Sequence, residues 1–276
     1  MIRHALPPTT EQPEPIPILL YHAVADDVDG PASPWVVAPG EFAEHLDAIS
    51  AVGCRPVTIG RLVELMTSSH ETVAPGTVAI TFDDGFADFA TGALPALAEK
   101  GWPATLYVTT GAVGGTATWM GAEEPRPMLG WADLAGLAQA GIEIGAHTEH
   151  HPQLDVVPVA LARTEIERSR SCLEDGLGRT VDTFAYPHGY HDRRVRQLVV
   201  DAGFRSGCGV RHAFSSLADD RFALSRVMVR QGDTAETVAR WAAGIGLPTA
   251  NGGPPALRST AWRHMRRARA RFGRAA

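Results

Sequence analysis

Apolar and polar positions along this chain follow two alternating rhythms. Apolar runs of four to seven residues recur at 16–21, 56–59, 77–82, 104–109, 142–146, 183–186 and 223–229. The run at 77–82, Thr-Val-Ala-Ile-Thr-Phe, has no charged position, as expected of a strand covered on both faces. Between these runs lie stretches whose apolar residues are spaced three and four apart, at 41–51, 61–66, 92–100, 131–140, 161–177, 193–202 and 234–243. That spacing predicts amphipathic helices. Gly101 follows one of them in the position of a helix stop. Strands separated by helices indicate βαβ units and a mainly parallel sheet. Seven or eight such strands favour closure over an open sheet, so the expected fold is α/β, a (β/α) barrel of seven or eight units. No internal repeat is evident.

A chain of 276 residues suits one barrel domain. Residues 1–16 are Pro-rich and polar and read as a flexible leader. The folded domain is expected over 17–250, and Asn-Gly-Gly-Pro-Pro at 251–255 opens a linker and basic tail that run to 276. With 45% hydrophobic and 20% charged residues, a core is affordable and global disorder is excluded. No apolar run approaches the roughly 18 residues that cross a bilayer. Pro and Glu stand where a secretory apolar region would lie, so the expected location is cytoplasmic. Three scattered cysteines, Cys54, Cys172 and Cys208, argue against a disulfide framework or a cysteine-based zinc site. The net charge of −6 hides an asymmetry, because 258–276 carries seven arginines and no acid. With Trp262, Met265 and Phe272 beside those charges, 261–276 could lie peripherally on the anionic inner face of a membrane. Basic charge elsewhere is too sparse for a nucleic-acid enzyme.

Candidate chemistry gathers just past the apolar runs. His22 follows the first, Asp83-Asp84-Gly85 follows 77–82, His147 follows 142–146, and Tyr186-Pro187-His188-Gly189 ends the sixth. Active sites of parallel α/β barrels form at that end of the strands. Asp84, His147 and His151 supply one carboxylate and two imidazoles, a ligand set for zinc or a similar divalent ion. Such an ion acidifies water and polarises a carbonyl oxygen, and Asp83 beside it is a candidate proton acceptor. Neighbours on a strand point to opposite faces, so the Asp83-Asp84 pair must lie in the turn that Gly85 permits. His147 and His151 would share a face of a helix, but Pro152 disfavours helical geometry at His151. Spacing alone therefore leaves His150 and His151 open as the second imidazole.

Three segments carry a resemblance: Thr-Phe-Asp-Asp-Gly at 81–85, His-Thr-Glu-His-His-Pro at 147–152 and Phe-Ala-Tyr-Pro-His-Gly at 184–189. In that order they resemble the motifs of the polysaccharide deacetylases of carbohydrate esterase family 4, over about residues 17–229. The resemblance implies a distorted (β/α) barrel, one divalent metal ion (zinc first, with cobalt, nickel or manganese as alternatives) and hydrolytic removal of acetyl groups from acetylated sugars. It implies Asp83 as catalytic base, Asp84 as carboxylate ligand and His147 and His151 as histidine ligands. Tyr186, Pro187 and His188 match the third motif, where a backbone N–H binds the developing oxyanion. Two departures stand out: Ala185 occupies a position that is Arg in many members, and Leu224-Ser225-Arg226 replaces a Leu-x-His motif. Both are similar to the poly-N-acetylglucosamine deacetylase branch, in which a histidine after the first strand acts as the acid; His22 matches it. Arg226 is the candidate for the missing charge near Asp83 and, with the third motif, is placed on the substrate side of the site.

The expected activity is thus metal-dependent deacetylation of an N-acetylated sugar in a polysaccharide, oligosaccharide or glycan precursor. Two other classes compete: hydrolysis of a small non-sugar amide, and a catalytically silent carbohydrate-binding module. A pure binder has no need of both a base and a ligand set. An iron oxygenase would share the ligand types, but βαβ units are not its usual frame. Trp131 reads as a core aromatic at a helix start, Glu149 as solvent-facing, and His150, His188 and His191 as residues lining a sugar pocket or solvated on loops.

Overall fold

A computed structural model of the chain describes residues 13–26, 33–119, 125–250 and 265–266. Eight parallel strands form the main sheet: β1 (Ile18–Tyr21), β2 (Arg55–Val57), β3 (Thr77–Phe82), β4 (Thr105–Val108), β5 (Glu143–Ala146), β6 (Thr183–Ala185), β7 (Ser206–Cys208) and β8 (Val227–Met228). Seven α-helices accompany them: α1 (Pro39–Ala51), α2 (Ile59–Thr67), α3 (Leu94–Glu99), α4 (Trp131–Gln139), α5 (Val159–Leu177), α6 (Arg193–Asp201) and α7 (Ala235–Ala242). The spatial order is β7-β6-β5-β4-β3-β1-β8. One edge of β3 is shared: β2 takes its first half at Arg55↔Thr77 and β4 its second at Thr81↔Thr105. The two ends of the sheet then meet, because Leu224, just before β8, bridges in parallel to Cys208 of β7. The result is the distorted (β/α) barrel that the alternation of strands and helices predicts.

Strand parity divides the core. Leu19 and Tyr21, Val78, Ile80 and Phe82, Leu106 and Val108, and Phe184 join the layer shared with the helices, where Phe42 and Leu46 of α1 and Ile166 and Leu173 of α5 pack. Ile18, Ala79, Tyr107, Ala185, Cys208 and Leu224 fill the interior of the barrel. All six residues of β3 are buried, as the uninterrupted apolar run requires. Side-chain caps mark the helix starts: Thr58 accepts from the Arg61 N–H and Asp192 from the Val195 N–H.

Two expectations shift. The run at 56–59 ends earlier, because Thr58 caps α2 and Ile59 already belongs to the helix. The run at 223–229 pairs with β1 only at Val227 and Met228; the Ser225 N–H instead bonds the Ser215 hydroxyl at 2.7 Å. Strand β7, Ser-Gly-Cys, lacks the large apolar residues that signal a strand. It needs its small residue, since a Cβ on Gly207 would lie 2.6 Å from the Tyr186 hydroxyl oxygen. Ile16, at the end of the expected leader, is buried and bonds Ser215 through both backbone groups, at 2.7 and 3.1 Å. Residues 1–12 and the expected linker and tail, apart from Met265 and Arg266, lie outside the described residues. Among the described residues no helix is long and apolar enough to cross a membrane.

Candidate active site

The site is a continuation of the barrel's inward rows. Alternation carries Ile18 and Leu20 up to His22, Ala79 and Thr81 up to Asp83, and Glu143 and Gly145 up to His147. Gly145 is the smallest step in its row for a reason: a Cβ there would come 2.6 Å from both the Tyr107 ring and the Thr183 hydroxyl.

Alternation alone would send Asp84 away from the site. Instead Asp84 takes a left-handed conformation (φ 75°), followed by Gly85 at φ 90°. The turn is fixed by bonds from the Gly85 N–H to the Asp83 oxygen (3.0 Å) and from the Thr109 N–H to the Asp84 oxygen (3.1 Å). Thr148 (φ 68°), His151 (φ 60°) and His188 (φ 57°) share this conformation, which is uncommon outside glycine and out of character for a β-branched residue. Four of the five such non-glycine residues found among those described belong to these loops, as stored strain at functional sites does.

Residues 147–151 therefore converge as a loop and not as a helical turn. Pro152 disfavours right-handed helical geometry at His151, which takes a positive φ instead. The loop is held from several sides. The His151 N–H bonds the Thr148 hydroxyl at 2.9 Å. The Glu149 and His150 N–H groups both donate to Glu165 Oε2, at 3.0 and 2.7 Å, while Glu165 Oε1 takes His150 Nδ1 at 2.9 Å. The Gly111 N–H bonds the Glu149 oxygen at 2.8 Å, and a Cβ on Gly111 would stand 2.5 Å from that oxygen.

This loop brings His147 and His151, but not His150, to Asp84. Asp84 Oδ1 lies 3.3 Å from His151 Nε2 and 3.7 Å from His147 Nε2. His147 Nδ1–H donates to the Ala185 carbonyl oxygen at 2.8 Å, which leaves the Nε2 lone pair facing Asp84. Asp84 Oδ1 is buried and has no hydrogen-bond partner among the described residues. Ligands at about 2.0–2.1 Å around a tetrahedral zinc ion stand about 3.4 Å apart, so this donor set fits a divalent cation. Electrostatics agree. Burial, then the neighbouring Asp83 charge, pushes Asp84 well above the usual carboxylate range. Burial, then His147, pushes His151 well below the usual imidazole value. The lowered His151 pKa keeps that imidazole neutral with a lone pair free, and Asp84, pushed toward its protonated form, needs a neighbouring cation to stay ionised.

Asp83 has a different partner. Arg226, wholly buried, grips it with a two-pronged pair: Nη1 to Oδ1 at 2.6 Å and Nη2 to Oδ2 at 2.7 Å. Arg226 Nε also donates to the Gly209 oxygen at 3.1 Å. Burial raises the Asp83 pKa, but Arg226, His147 and His22 outweigh it, so the carboxyl stays below its ordinary value. His22 is pushed down to about 4, chiefly by burial, and is neutral at pH 7.

These groups open into a cavity of about 500 Å³ whose wall includes His22, Asp83, Asp84, His147, His151 and His188. Of the other expected site residues, the side chains of Tyr186, Pro187 and Arg226 do not reach that wall. Tyr186 is buried and donates its hydroxyl to the Phe222 oxygen at 2.8 Å, Pro187 is buried within its turn, and Arg226 lies behind Asp83. Glu149 is not solvent-facing: its carboxylate meets Arg168 at 3.3 Å and its side chain is 17% exposed. Trp131 packs over Gly176, where a Cβ would lie 2.4 Å from the ring. His191 stacks against Tyr186 at 4.5 Å.

Several site residues were not singled out from the sequence. Trp119 stacks on the His151 ring at 4.9 Å and joins Trp35 and Tyr190 in the cavity wall. Glu165, which holds the histidine loop, carried a readable signal. It shares the core-facing stripe of α5 with Ala162, Ile166, Ser169 and Leu173, where a carboxylate requires a partner.

Comparison with known proteins accords with this geometry. The sequence pattern of the family described as polysaccharide deacetylase matches residues 70–207, half of the chain. The candidate polysaccharide deacetylase YxkH of Bacillus subtilis (strain 168) is 25% identical over 223 residues, 81% of this chain and 74% of that protein. The Streptococcus pyogenes deacetylase PplD, solved in complex with acetate, superposes with a TM-score of 0.71 at 25% identity, covering 83% of this chain and 98% of PplD. IcaB from Ammonifex degensii shares the fold, with a TM-score of 0.72 at 24% identity, covering 84% of this chain and 98% of IcaB.

Proposed function

Since the chain belongs to the polysaccharide deacetylase family, whose members are amide-cleaving hydrolases, we propose that it hydrolyses the acetamide of an N-acetylated sugar with the help of one divalent ion, zinc in the first instance. The observation that carries this reading is the convergence of Asp84, His147 and His151 around a buried carboxylate oxygen that no group among the described residues satisfies. When bound, the ion would polarise the acetamide carbonyl and lower the pKa of water.

The chain's own residues supply the remaining steps. Asp83 takes a proton from the attacking water. Arg226 keeps that carboxylate ionised and aimed, and Asp83 in turn gives the proton up readily. That proton goes to His22, neutral at the outset, and the protonated His22, in the cavity wall, passes it to the departing amine. The backbone N–H of His188, in the middle of the Pro187–Gly189 turn, stabilises the negative charge that develops on the carbonyl oxygen. Water adds across the C–N bond, and the products are acetate and a free amino sugar. Trp35, Trp119 and Tyr190 offer apolar faces to a sugar ring.

The test is acetate release from N-acetylglucosamine oligosaccharides by metal-stripped protein and after adding back zinc, cobalt, nickel or manganese. Release that appears only on reloading supports the reading. Release that survives stripping, or protein that binds no metal, contradicts it.

A further inference from the structure

One residue of the basic C-terminal segment is bound deep beside the site. Arg266 is 9% exposed. Its Nη1 and Nη2 meet both oxygens of the buried Asp155 at 2.9 and 2.7 Å, and Nη1 also reaches Gln153 Oε1 at 3.1 Å. The guanidinium carbon stands 3.5 Å from the centroid of the Tyr190 ring. A solvated tail arginine makes none of these contacts. A forked carboxylate pair combined with stacking on an aromatic face uses the two features that distinguish a guanidinium from an ammonium, and lysine cannot reproduce it.

The two loops joined in this way both serve the site. Gln153 and Asp155 follow the ligand His151 and Pro152. Tyr190 follows His188 and Gly189, forms part of the cavity wall, and stacks on the His188 ring at 5.9 Å. The His188 ring in turn meets His151 at 4.7 Å. A side chain from the far end of the sequence thus clamps the loop after the second histidine to the loop that bears the third motif.

The geometry points to Arg266 as a positioning residue of the active site: it fixes the Tyr190 wall against which a substrate sugar would rest. Arg266 is then a support of the cavity wall and not only one charge of a basic extension. The kinetic half of this inference rests on the deacetylase reading; the structural half does not.

The test compares the full chain with its Arg266→Ala and Arg266→Lys variants by amide hydrogen exchange, zinc affinity, thermal midpoint and acetate kinetics on an N-acetylglucosamine oligosaccharide. The expected result for Arg266→Ala is faster exchange confined to 152–156 and 186–192. Zinc affinity stays within about twofold, and kcat/KM falls about tenfold, mainly through KM. Arg266→Lys, which keeps the charge but loses the fork and the stack, recovers only part of the loss. Unchanged exchange in both segments overturns the proposal. So does faster exchange across the whole barrel with a lowered thermal midpoint, which marks a general staple. A fall in zinc affinity at constant KM overturns it too. Wild-type protein that releases no acetate refutes the deacetylase reading, and the exchange pattern alone then decides whether Arg266 clamps the loops.

Discussion

Strand β5 carries a carboxylate at its foot and a histidine at its head, and the two ends of the barrel treat buried charge in opposite ways. At the foot, Glu143 receives the Gly60 N–H on both oxygens, at 3.0 and 3.1 Å, and the Thr105 hydroxyl at 2.6 Å. The Ile59 N–H, at the start of α2, bonds that same hydroxyl at 2.9 Å. The first turn of a helix closes the barrel floor with donors that need an acceptor. At the head, beyond His147, Asp83 is satisfied by Arg226, but Asp84 Oδ1 has no partner among the described residues. A satisfied buried carboxylate is an architectural element. One left unsatisfied, within 4 Å of two imidazole nitrogens, fits the proposed divalent-ion site.

Substitutions can break that contrast. The largest effect is expected for Asp84→Asn: metal binding is lost and acetate release falls by roughly 10³-fold or more, while metal-free protein keeps its stability because a buried carboxyl already pushed toward its neutral form gives way to a neutral amide of the same shape. Metal analysis after dialysis, with a melting curve, checks both halves. Next comes Asp83→Asn. It should retain metal but lower kcat by roughly 10²–10⁴-fold, and it leaves the buried Arg226 charge unpaired, at a cost of about 3–5 kcal/mol. Denaturant unfolding of Asp83→Asn alone and with Arg226→Met should show stability regained in the double variant without regained activity.

At the foot the expectation reverses. Glu143→Gln should leave metal binding and kcat unchanged and cost about 1–2 kcal/mol, a drop of a few degrees in thermal midpoint for a domain of this size. A kcat that falls with Glu143→Gln would erase the distinction between the two ends. The smallest effect concerns pH. His191 lies outside the ligand set, and burial, then Arg196 and Arg211, pushes its pKa down to about 4. In the unfolded chain it takes up a proton near pH 6.5, and in the fold only near 4. The unfolded state therefore binds more protons in that window, and stability is lost as pH falls from about 6.5 towards 4. His191→Asn should flatten that slope in metal-free protein, as read from unfolding at a series of pH values.

Much of this was legible along the chain. The alternation of apolar runs and helical spacing gave the barrel, and the residues just past the runs gave His22, Asp83 and His147, whose inward direction follows from strand parity. What parity cannot give is the position of Asp84 and His151. Both depend on left-handed backbone conformations set by a hydrogen bond that the Thr109 N–H donates and by bonds that the Thr148 hydroxyl and the Glu165 carboxylate accept, Thr109 and Glu165 lying well away in sequence from the residues they fix. Strand β7 escaped because packing against Tyr186 requires a small residue where a strand would otherwise show a large one. Arg226 was visible as a charge within the last run, but its full burial and two-pronged grip depend on barrel closure through Leu224. The binding of Arg266 beside the site had no local signal, since its partners Asp155 and Tyr190 lie about 110 and 75 residues upstream.

The central claim is that the unsatisfied Asp84 oxygen belongs to a divalent-ion site that drives deacetylation. Titrating zinc into metal-stripped protein while following acetate release from an N-acetylglucosamine oligosaccharide tests it most directly. The account predicts activity that rises with zinc to about one equivalent and then levels off, and that stays flat throughout for Asp84→Asn. Full activity before any zinc is added, or the same rise in Asp84→Asn, would contradict it.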